Sequence, residues 1–127
     1  MSYRLEREKT VTTPYVLIDE ENRYIKFEGK SYLEEIVEFF SEINDWLDRY
    51  LGIDNVELTF DCEMKYFNSS TTKIIYNMLR AMDRAAGRGG SITVNWYAGE
   101  NNESMIECGE DFEEEMENLT FNLIVVE

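Results

Sequence analysis

The sequence predicts one α/β domain, in which a mixed β-sheet begins with an N-terminal β-hairpin and carries its helices largely on one face. Three observations support this fold class. Some segments alternate polar and apolar residues at a period of two, as strands do, and others place apolar residues three and four apart, as helices do. After the hairpin the two patterns alternate along the chain, which implies parallel strands joined by right-handed crossovers.

The chain has the length and composition of a single folded domain. It contains 127 residues, of which 43% are hydrophobic and 13% aromatic, and these supply the side chains of a core. Residues 1–13 are polar and charged, so we expect a mobile or loosely docked N-terminal segment there. The domain itself is expected to span residues 14–127.

The N-terminal half is predicted to form the hairpin and the first helix. Residues 15–19 read as a strand, and residues 23–28 return with polar and apolar residues in alternation. Gly29 is expected to end the hairpin. An S-x-x-E capping box that starts at Ser31 then predicts a long amphipathic helix, and Gly52 supplies its stop.

The C-terminal half is predicted to hold two more helices between strands. In chain order these elements are a strand at 55–62, a helix at 74–86, a strand at 91–97, a short strand at 104–107, a very acidic helix at 109–117 and a last strand at 121–126. The acidic helix is expected to turn Phe112 and Met116 towards the core.

The charge of the chain limits its partners. Its 12 basic and 27 acidic residues give a net charge of −15, which repels nucleic-acid phosphates and anionic lipid headgroups. No apolar run has the length of a bilayer span, and the first ten residues are too charged for a signal peptide. We therefore expect a cytoplasmic protein that binds neither nucleic acid nor membrane. The acidic helix faces are either solvated surface or a docking surface for a basic partner.

The chain contains no histidine, which removes the usual general base, the common nucleophile pairs and the common zinc sites. Cys62 and Cys108 lie far apart without a C-x-x-C pattern and are expected to be buried free thiols. We expect no catalytic residues, no metal and no cofactor. The rival enzyme interpretation is a metal-assisted hydrolase that uses Asp61, Glu63 and Ser69.

Four consecutive hydroxyl residues, Ser69, Ser70, Thr71 and Thr72, stand between a predicted strand and a predicted helix. Small oxygen-bearing side chains suit this position because they accept hydrogen bonds from the unpaired N–H groups of a first helical turn. The same donors, with the positive end of the helix dipole, favour a phosphate. The pattern therefore predicts a helix cap or a phosphorylation site, and Asn68 is interpreted as shaping the loop.

Several short motifs, in this order and spacing, resemble one known family. They are Pro14, Gly-Lys-Ser-Tyr at 29–32, Tyr-Phe-Asn-Ser-Ser at 66–70, Val-Asn-Trp at 94–96 and Cys-Gly-Glu-Asp-Phe at 108–112. Together they resemble the SiaC family of bacterial regulatory phosphoproteins, whose fold is similar to the STAS domains of anti-sigma factor antagonists. The resemblance covers nearly the whole chain and implies a single STAS-like regulatory domain.

The resemblance implies a switch protein rather than an enzyme. In the family, a partner kinase phosphorylates a hydroxyl residue in the strand-to-helix loop and a PP2C-like phosphatase removes the phosphate. The unphosphorylated form binds and activates a diguanylate cyclase in a biofilm and aggregation pathway. The phosphorylated residue follows the loop asparagine, so the resemblance places phosphorylation on Ser69, with Ser70 and Thr71 as the next candidates. The protein that gives the family its name carries threonine there, and this chain carries serine.

The residues around Ser69 are predicted to form a partner-binding loop, which consists of Tyr66, Phe67, Asn68, Thr72 and Lys73. An exposed aromatic side chain in that loop suits a partner contact. The expected partners are the kinase, the phosphatase and a regulated target such as a diguanylate cyclase. The alternative is an acidic adaptor domain without a phosphoswitch. The protein is expected to be a monomer or a weak homodimer formed through an edge strand.

Overall fold

The computed structural model describes residues 2–32 and 36–127, which form six strands and three helices. In chain order the elements are β1 (Arg4–Arg7), β2 (Tyr15–Asp19), β3 (Tyr24–Ser31), α1 (Ile36–Tyr50), β4 (Glu57–Phe67), α2 (Ser69–Gly87), β5 (Ser91–Gly99), α3 (Glu103–Glu115) and β6 (Thr120–Val126).

All six strands belong to one sheet, and they follow one another in sequence order from β1 to β6. β1 pairs with β2, and β2 with β3, in antiparallel orientation. The pairs β3–β4, β4–β5 and β5–β6 are parallel. The predicted hairpin, the mixed sheet and the parallel strands that follow it are therefore confirmed.

The helices cover one face of the sheet. Along β3, β4 and β5 buried residues alternate with half-buried ones, so one side of each strand faces the core. Phe27 of β3 contacts Phe60 of β4 and Phe40 of α1, with ring centroids 5.1 and 5.5 Å apart. Trp96 of β5 contacts Phe112 of α3 at 5.4 Å. The predicted arrangement, a mixed sheet with helices largely on one face, is confirmed.

The expectation of a loosely docked N-terminus is wrong for β1, which is an edge strand of the sheet. The side chain of Arg7 donates to the backbone oxygen of Phe39 at 3.0 Å and to Glu42 at 2.9 Å, and Tyr3 also donates to Glu42. Leu5 is half-buried against the core. The strand is only four residues long, so its alternation was too short to stand out from the polar segment.

Gly29 does not end the hairpin, because β3 continues to Ser31. The pairing register with β4 shifts between Gly29 and Lys30, and Gly29 has a φ of 117°, which favours glycine. Ser31, the first residue of the predicted capping box, is therefore a strand residue. The other end of that box, Glu34, lies outside the described residues.

The predicted short strand at 104–107 is wrong, because those residues form the start of α3. Asn102 caps this helix, and its side chain accepts a hydrogen bond from the Met105 N–H at 3.3 Å. Met105, Gly109 and Phe112 are buried at four- and three-residue spacing, which is the helical pattern. The inward orientation predicted for Phe112 and Met116 is confirmed.

Candidate functional site

The candidate site is the junction between β4 and α2, where a single residue separates strand from helix. Asn68 is the N-cap of α2, and its side-chain oxygen accepts a hydrogen bond from the Thr71 N–H at 3.0 Å. Asn68 therefore performs the capping that the sequence assigned to the hydroxyl residues. Ser69 becomes the first residue of the helix, and its hydroxyl is not needed for the cap.

The four hydroxyl residues have different environments. Thr71 is fully buried, and its hydroxyl lies 2.8 Å from the hydroxyl of Ser31, which is also fully buried. The Thr72 hydroxyl donates to the backbone oxygen of Asn68 at 3.0 Å. Ser69 and Ser70 are exposed, and within the described residues neither hydroxyl takes part in a hydrogen bond. Only Ser69 and Ser70 thus offer a hydroxyl to a second protein.

The two aromatic residues before the cap have opposite orientations. Phe67 is 6% exposed and contacts the edge of Trp96 in the core, at a centroid distance of 6.1 Å. Tyr66 is 49% exposed and packs against Tyr32, with centroids 5.7 Å apart. Of the two, only Tyr66 can contact a partner directly, whereas Phe67 fixes the position of the strand end.

Positive charge is concentrated near this junction. Four of the five lysines in the chain, Lys9, Lys30, Lys65 and Lys73, lie here, three of them around one cavity. That cavity, of about 330 Å³, is also lined by Tyr32 and by two carboxylates, Glu28 and Glu63. Lys73 is exposed and lies four residues after Ser69, so both side chains occupy the same face of α2. In this set of residues four lysines accompany two carboxylates, whereas the whole chain carries a net charge of −15.

The carboxylate–hydroxyl cluster of the enzyme interpretation does not form. Asp61 and Glu63 precede Phe67 by six and four residues, which at about 3.3 Å per residue places them about 20 and about 13 Å from the end of β4. The oxygens of Asp61 accept hydrogen bonds from the Tyr24 hydroxyl at 2.6 Å and from the Asn95 side chain at 2.8 Å. Burial and the bond to Asp61 raise the pKa of Tyr24. Asp61 is thus part of a polar ladder on the open face of the sheet, away from Ser69.

Neither cysteine is paired or activated. Cys62 is buried in the core, and burial raises its pKa. Cys108 is half-buried, less than expected, and burial raises its pKa to about 11. Within residues 2–32 and 36–127, no group of three or more Cys, Asp or Glu residues is placed to hold a metal ion. No helix in the described parts of the chain has the length and apolar composition of a bilayer span.

A comparison with known protein families assigns the chain to one of them. The model of one family, described as SiaC family regulatory phosphoprotein, matches residues 7–126. The chain belongs to the SiaC family. An uncharacterised protein from Pseudomonas aeruginosa strain UCBPP-PA14 is 28% identical over 106 residues, which cover 84% of this chain and 84% of that protein.

Solved structures from Pseudomonas aeruginosa support this assignment to the SiaC family. A chain from the crystal structure of the diguanylate cyclase SiaD in complex with its activator SiaC superposes with a TM-score of 0.89 at 26% identity, covering 96% of this chain and 99% of that chain. A structure of SiaC superposes with a TM-score of 0.81 at 25% identity, covering 98% of this chain and 99% of that chain. The family resemblance and the fold class drawn from the sequence are confirmed.

The sequence pattern did not identify two residues of this SiaC-family junction. Ser31 and Tyr32 end the hairpin, far from Ser69 in sequence, yet Ser31 pairs with Phe67 in the parallel register of β3 and β4. This register brings Ser31 to Thr71 and Tyr32 to Tyr66. The predicted parallel pairing was the signal that could have identified Ser31 and Tyr32, because the carboxyl ends of neighbouring parallel strands lie at the same edge of a sheet.

Proposed function

We propose that this chain is a non-enzymatic signalling switch. A partner kinase phosphorylates Ser69, a PP2C-like phosphatase removes the phosphate, and the unphosphorylated form binds and regulates a target protein such as a diguanylate cyclase. The observation that carries this proposal is the sorting of the hydroxyl residues. Asn68 caps the helix and Thr71 is buried, which leaves Ser69 exposed at the first position of α2.

The class of target is supported by the structural comparison. In the Pseudomonas aeruginosa complex, SiaC is the activator of the diguanylate cyclase SiaD, and this chain shares the fold over nearly its whole length. The exposed pair Tyr32 and Tyr66 lies beside the junction, and aromatic side chains are enriched at protein interfaces. We infer that this pair contacts the target.

The switch acts at the interface and leaves the fold intact. A phosphate adds about −1.5 to −2 units of charge and three acceptor oxygens. At the N-terminus of α2 this charge is compatible with the helix dipole, so the domain stays folded. The same group enlarges Ser69 and cancels the local positive charge of Lys73, so it opposes docking of a target surface that fits the unmodified junction.

The test begins with phosphate mapping. The purified protein is incubated with a candidate partner kinase and ATP, and the modified residue is located by mass spectrometry. We expect phosphate on Ser69, loss of the signal in Ser69→Ala, and no loss in Ser70→Ala, which removes a neighbouring hydroxyl that is also exposed. Phosphate on Ser70 alone would contradict the assignment to Ser69.

The second part of the test measures binding to the target. Calorimetry with the candidate cyclase compares the unmodified protein, the phosphorylated protein and Ser69→Ala. We expect the unmodified protein and Ser69→Ala to bind and the phosphorylated protein to bind much more weakly. Binding that is unaffected by phosphate, or a protein that no kinase modifies, would favour the acidic adaptor instead.

A further inference from the structure

The strand β6 is an edge of the sheet with few of the features that protect an edge. It is the last strand in the order, so one row of its backbone N–H and C=O groups faces away from β5, and no strand in the described parts of the chain pairs with that row. The strand is seven residues long and contains neither proline nor a charged residue. Val125 is 51% exposed. Such an edge is a ready template for pairing with another strand.

The lack of charge on β6 is unusual for this molecule. The chain carries 27 acidic residues, yet residues 120–126 form a neutral strip in which Leu123, Ile124, Val125 and Val126 follow one another. A charged partner strand would find no side chain of opposite charge on this strip. A strand of the same neutral, β-branched composition fits it instead, since cross-strand pairs of such residues are favourable.

The other edge of the sheet is protected. β1 has only four residues. On its surface, Nη1 of Arg4 lies 3.6 Å from Oε1 of Glu6, and Arg7 forms an ion pair with Glu42. Charged side chains and a short length both discourage pairing at an edge. A contact between β6 and β1 of another molecule would also be head-to-tail and would continue as a filament, whereas β6 against β6 closes as a twofold dimer.

We propose that two copies of this protein associate through β6, in an antiparallel pair that joins their sheets into one of twelve strands. A twofold axis at Leu123, the midpoint of the strand, pairs all seven residues. In this register Phe121 faces Val125 of the second copy on the helix side of the sheet. Asn122 then faces Ile124 on the open side.

The dimer has a specific dependence on salt. α3 packs beside β6 and contains seven acidic residues, which are Glu103, Glu107, Glu110, Asp111, Glu113, Glu114 and Glu115. A twofold contact through β6 brings the two α3 helices close together, so their charges repel across the contact. Salt screens this repulsion, and association therefore strengthens as ionic strength rises, which is the opposite of binding between oppositely charged surfaces.

The experiment is sedimentation equilibrium of the full chain across a range of protein concentrations. Raising the salt from about 0.01 M to about 1 M shortens the Debye length from about 30 Å to about 3 Å. We expect a monomer–dimer equilibrium whose dissociation constant falls over this range. We also expect slower amide hydrogen exchange in β6 under the conditions that favour the dimer.

The decisive variant is Val125→Lys, and Val37→Lys is its matched control. Both valines are exposed, at 51% and 71%, and each substitution changes the net charge from −15 to −14, but Val37 lies on α1. We expect Val125→Lys to weaken dimerisation at least about tenfold and Val37→Lys to leave it unchanged. Circular dichroism confirms that both variants are folded.

Three outcomes overturn the proposal. One is a wild-type protein that stays monomeric at every salt and protein concentration. Another is a dimer that Val125→Lys does not weaken. The third is a monomer whose complex with a target protein is lost in Val125→Lys, because that result assigns the edge to a partner's strand. None of these outcomes depends on whether Ser69 is phosphorylated.

Discussion

Thr71 shows how one buried hydroxyl fixes the geometry around an exposed one. Its hydroxyl and that of Ser31 form a hydrogen bond between the first turn of α2 and the end of β3, and neither residue is exposed. The bond holds the helix start against the sheet and thereby sets where Ser69 emerges. Thr71 is a structural residue because its only hydroxyl is already used inside the protein.

We predict that Thr71→Val lowers the free energy of unfolding by about 1–3 kcal/mol, because valine keeps the shape but leaves the Ser31 hydroxyl buried without its partner. Urea denaturation measures this change. Ser70→Ala is the control, and an exposed serine should alter stability by less than about 0.5 kcal/mol. The double variant Ser31→Ala/Thr71→Val should cost less than the sum of the single changes. Additive costs would mean that the two hydroxyls do not interact.

Gly109 in α3 is required by close packing. A Cβ atom at this position would lie 2.6 Å from Cδ1 of Trp96 and 2.8 Å from Cδ1 of Leu123. Alanine normally favours a helix interior over glycine by about 1 kcal/mol. We predict the opposite sign here: Gly109→Ala destabilises the protein by about 1–3 kcal/mol because the overpacked core must shift.

Thermal unfolding followed by tryptophan fluorescence tests the Gly109→Ala variant, since Trp96 lies at the contact. Glu110→Ala, one residue further on the exposed side of α3, is the control and should change stability by less than about 0.5 kcal/mol. A stabilised Gly109→Ala variant would show that α3 can move away from β5 at no cost.

Asp83 of α2 connects its helix to the segment between α3 and β6. Its carboxylate accepts hydrogen bonds from the N–H groups of Glu117, Asn118 and Leu119, at 2.7 to 3.2 Å. Burial by itself raises the pKa of Asp83, but these N–H groups and Arg80 outweigh it and hold the pKa below its usual value. The carboxylate thus stabilises the fold in its charged form.

We predict that Asp83→Asn lowers the free energy of unfolding at pH 7 by about 1–2 kcal/mol, because hydrogen bonds to a charged acceptor are stronger than those to an amide. A lowered folded-state pKa gives stability that is present above the unfolded value of about 3.9 and is lost as pH falls through the folded value. The difference in the free energy of unfolding between Asp83→Asn and wild type should therefore shrink as the pH falls below about 4. Urea titrations at several pH values measure it.

The control for Asp83→Asn is Asp45→Asn on the exposed side of α1, which should change stability at pH 7 by less than about 0.5 kcal/mol. If the cost of Asp83→Asn stayed constant down to pH 2, the charge of Asp83 would not be the source of its effect.

The elements that the sequence predicted well are those with a strong period. The hairpin, β5 and the apolar stripe of α2 follow the predicted patterns because each buries one face. The start of α3 was predicted as a strand, since its signals are an asparagine cap at Asn102 and a glycine that packs on Trp96. The glycine depends on a tertiary contact, which a periodic pattern does not contain, whereas the asparagine cap is a local signal that is present in the sequence itself.

At the junction, sequence reasoning found the segment but not the environment of its residues. A run of hydroxyls before a helix predicts a cap or a phosphorylated residue, and the family resemblance selected Ser69. Which hydroxyl is buried depends on Ser31, forty residues earlier in the chain, and on the parallel register of β3 and β4. A contact of this range follows only from the assembled sheet.

The charge of the molecule is distributed unevenly over its surface. The chain carries a net charge of −15, while four of its five lysines lie near the junction where α2 begins. A phosphate on Ser69 would therefore add negative charge to the part of the surface where these lysines lie. Elsewhere on so acidic a surface, a phosphate would add only slightly to the negative charge that is already there.

We predict that phosphorylation of Ser69 separates stability from binding. The free energy of unfolding should rise by about 0.3–1 kcal/mol, because the phosphate sits at the helix N-terminus and four residues before Lys73. The affinity for the target should fall at least about tenfold, since like charges placed together at an interface cost several kcal/mol. Thermal unfolding and calorimetry of the phosphorylated protein measure the two effects.

Lys73→Ala should reduce the gain in stability, whereas Lys26→Ala should preserve it, because Lys26 lies 4.0 Å from Glu28 in the middle of the sheet. A phosphorylated protein that unfolds, or that binds its target as before, would show that the switch does not act at this surface.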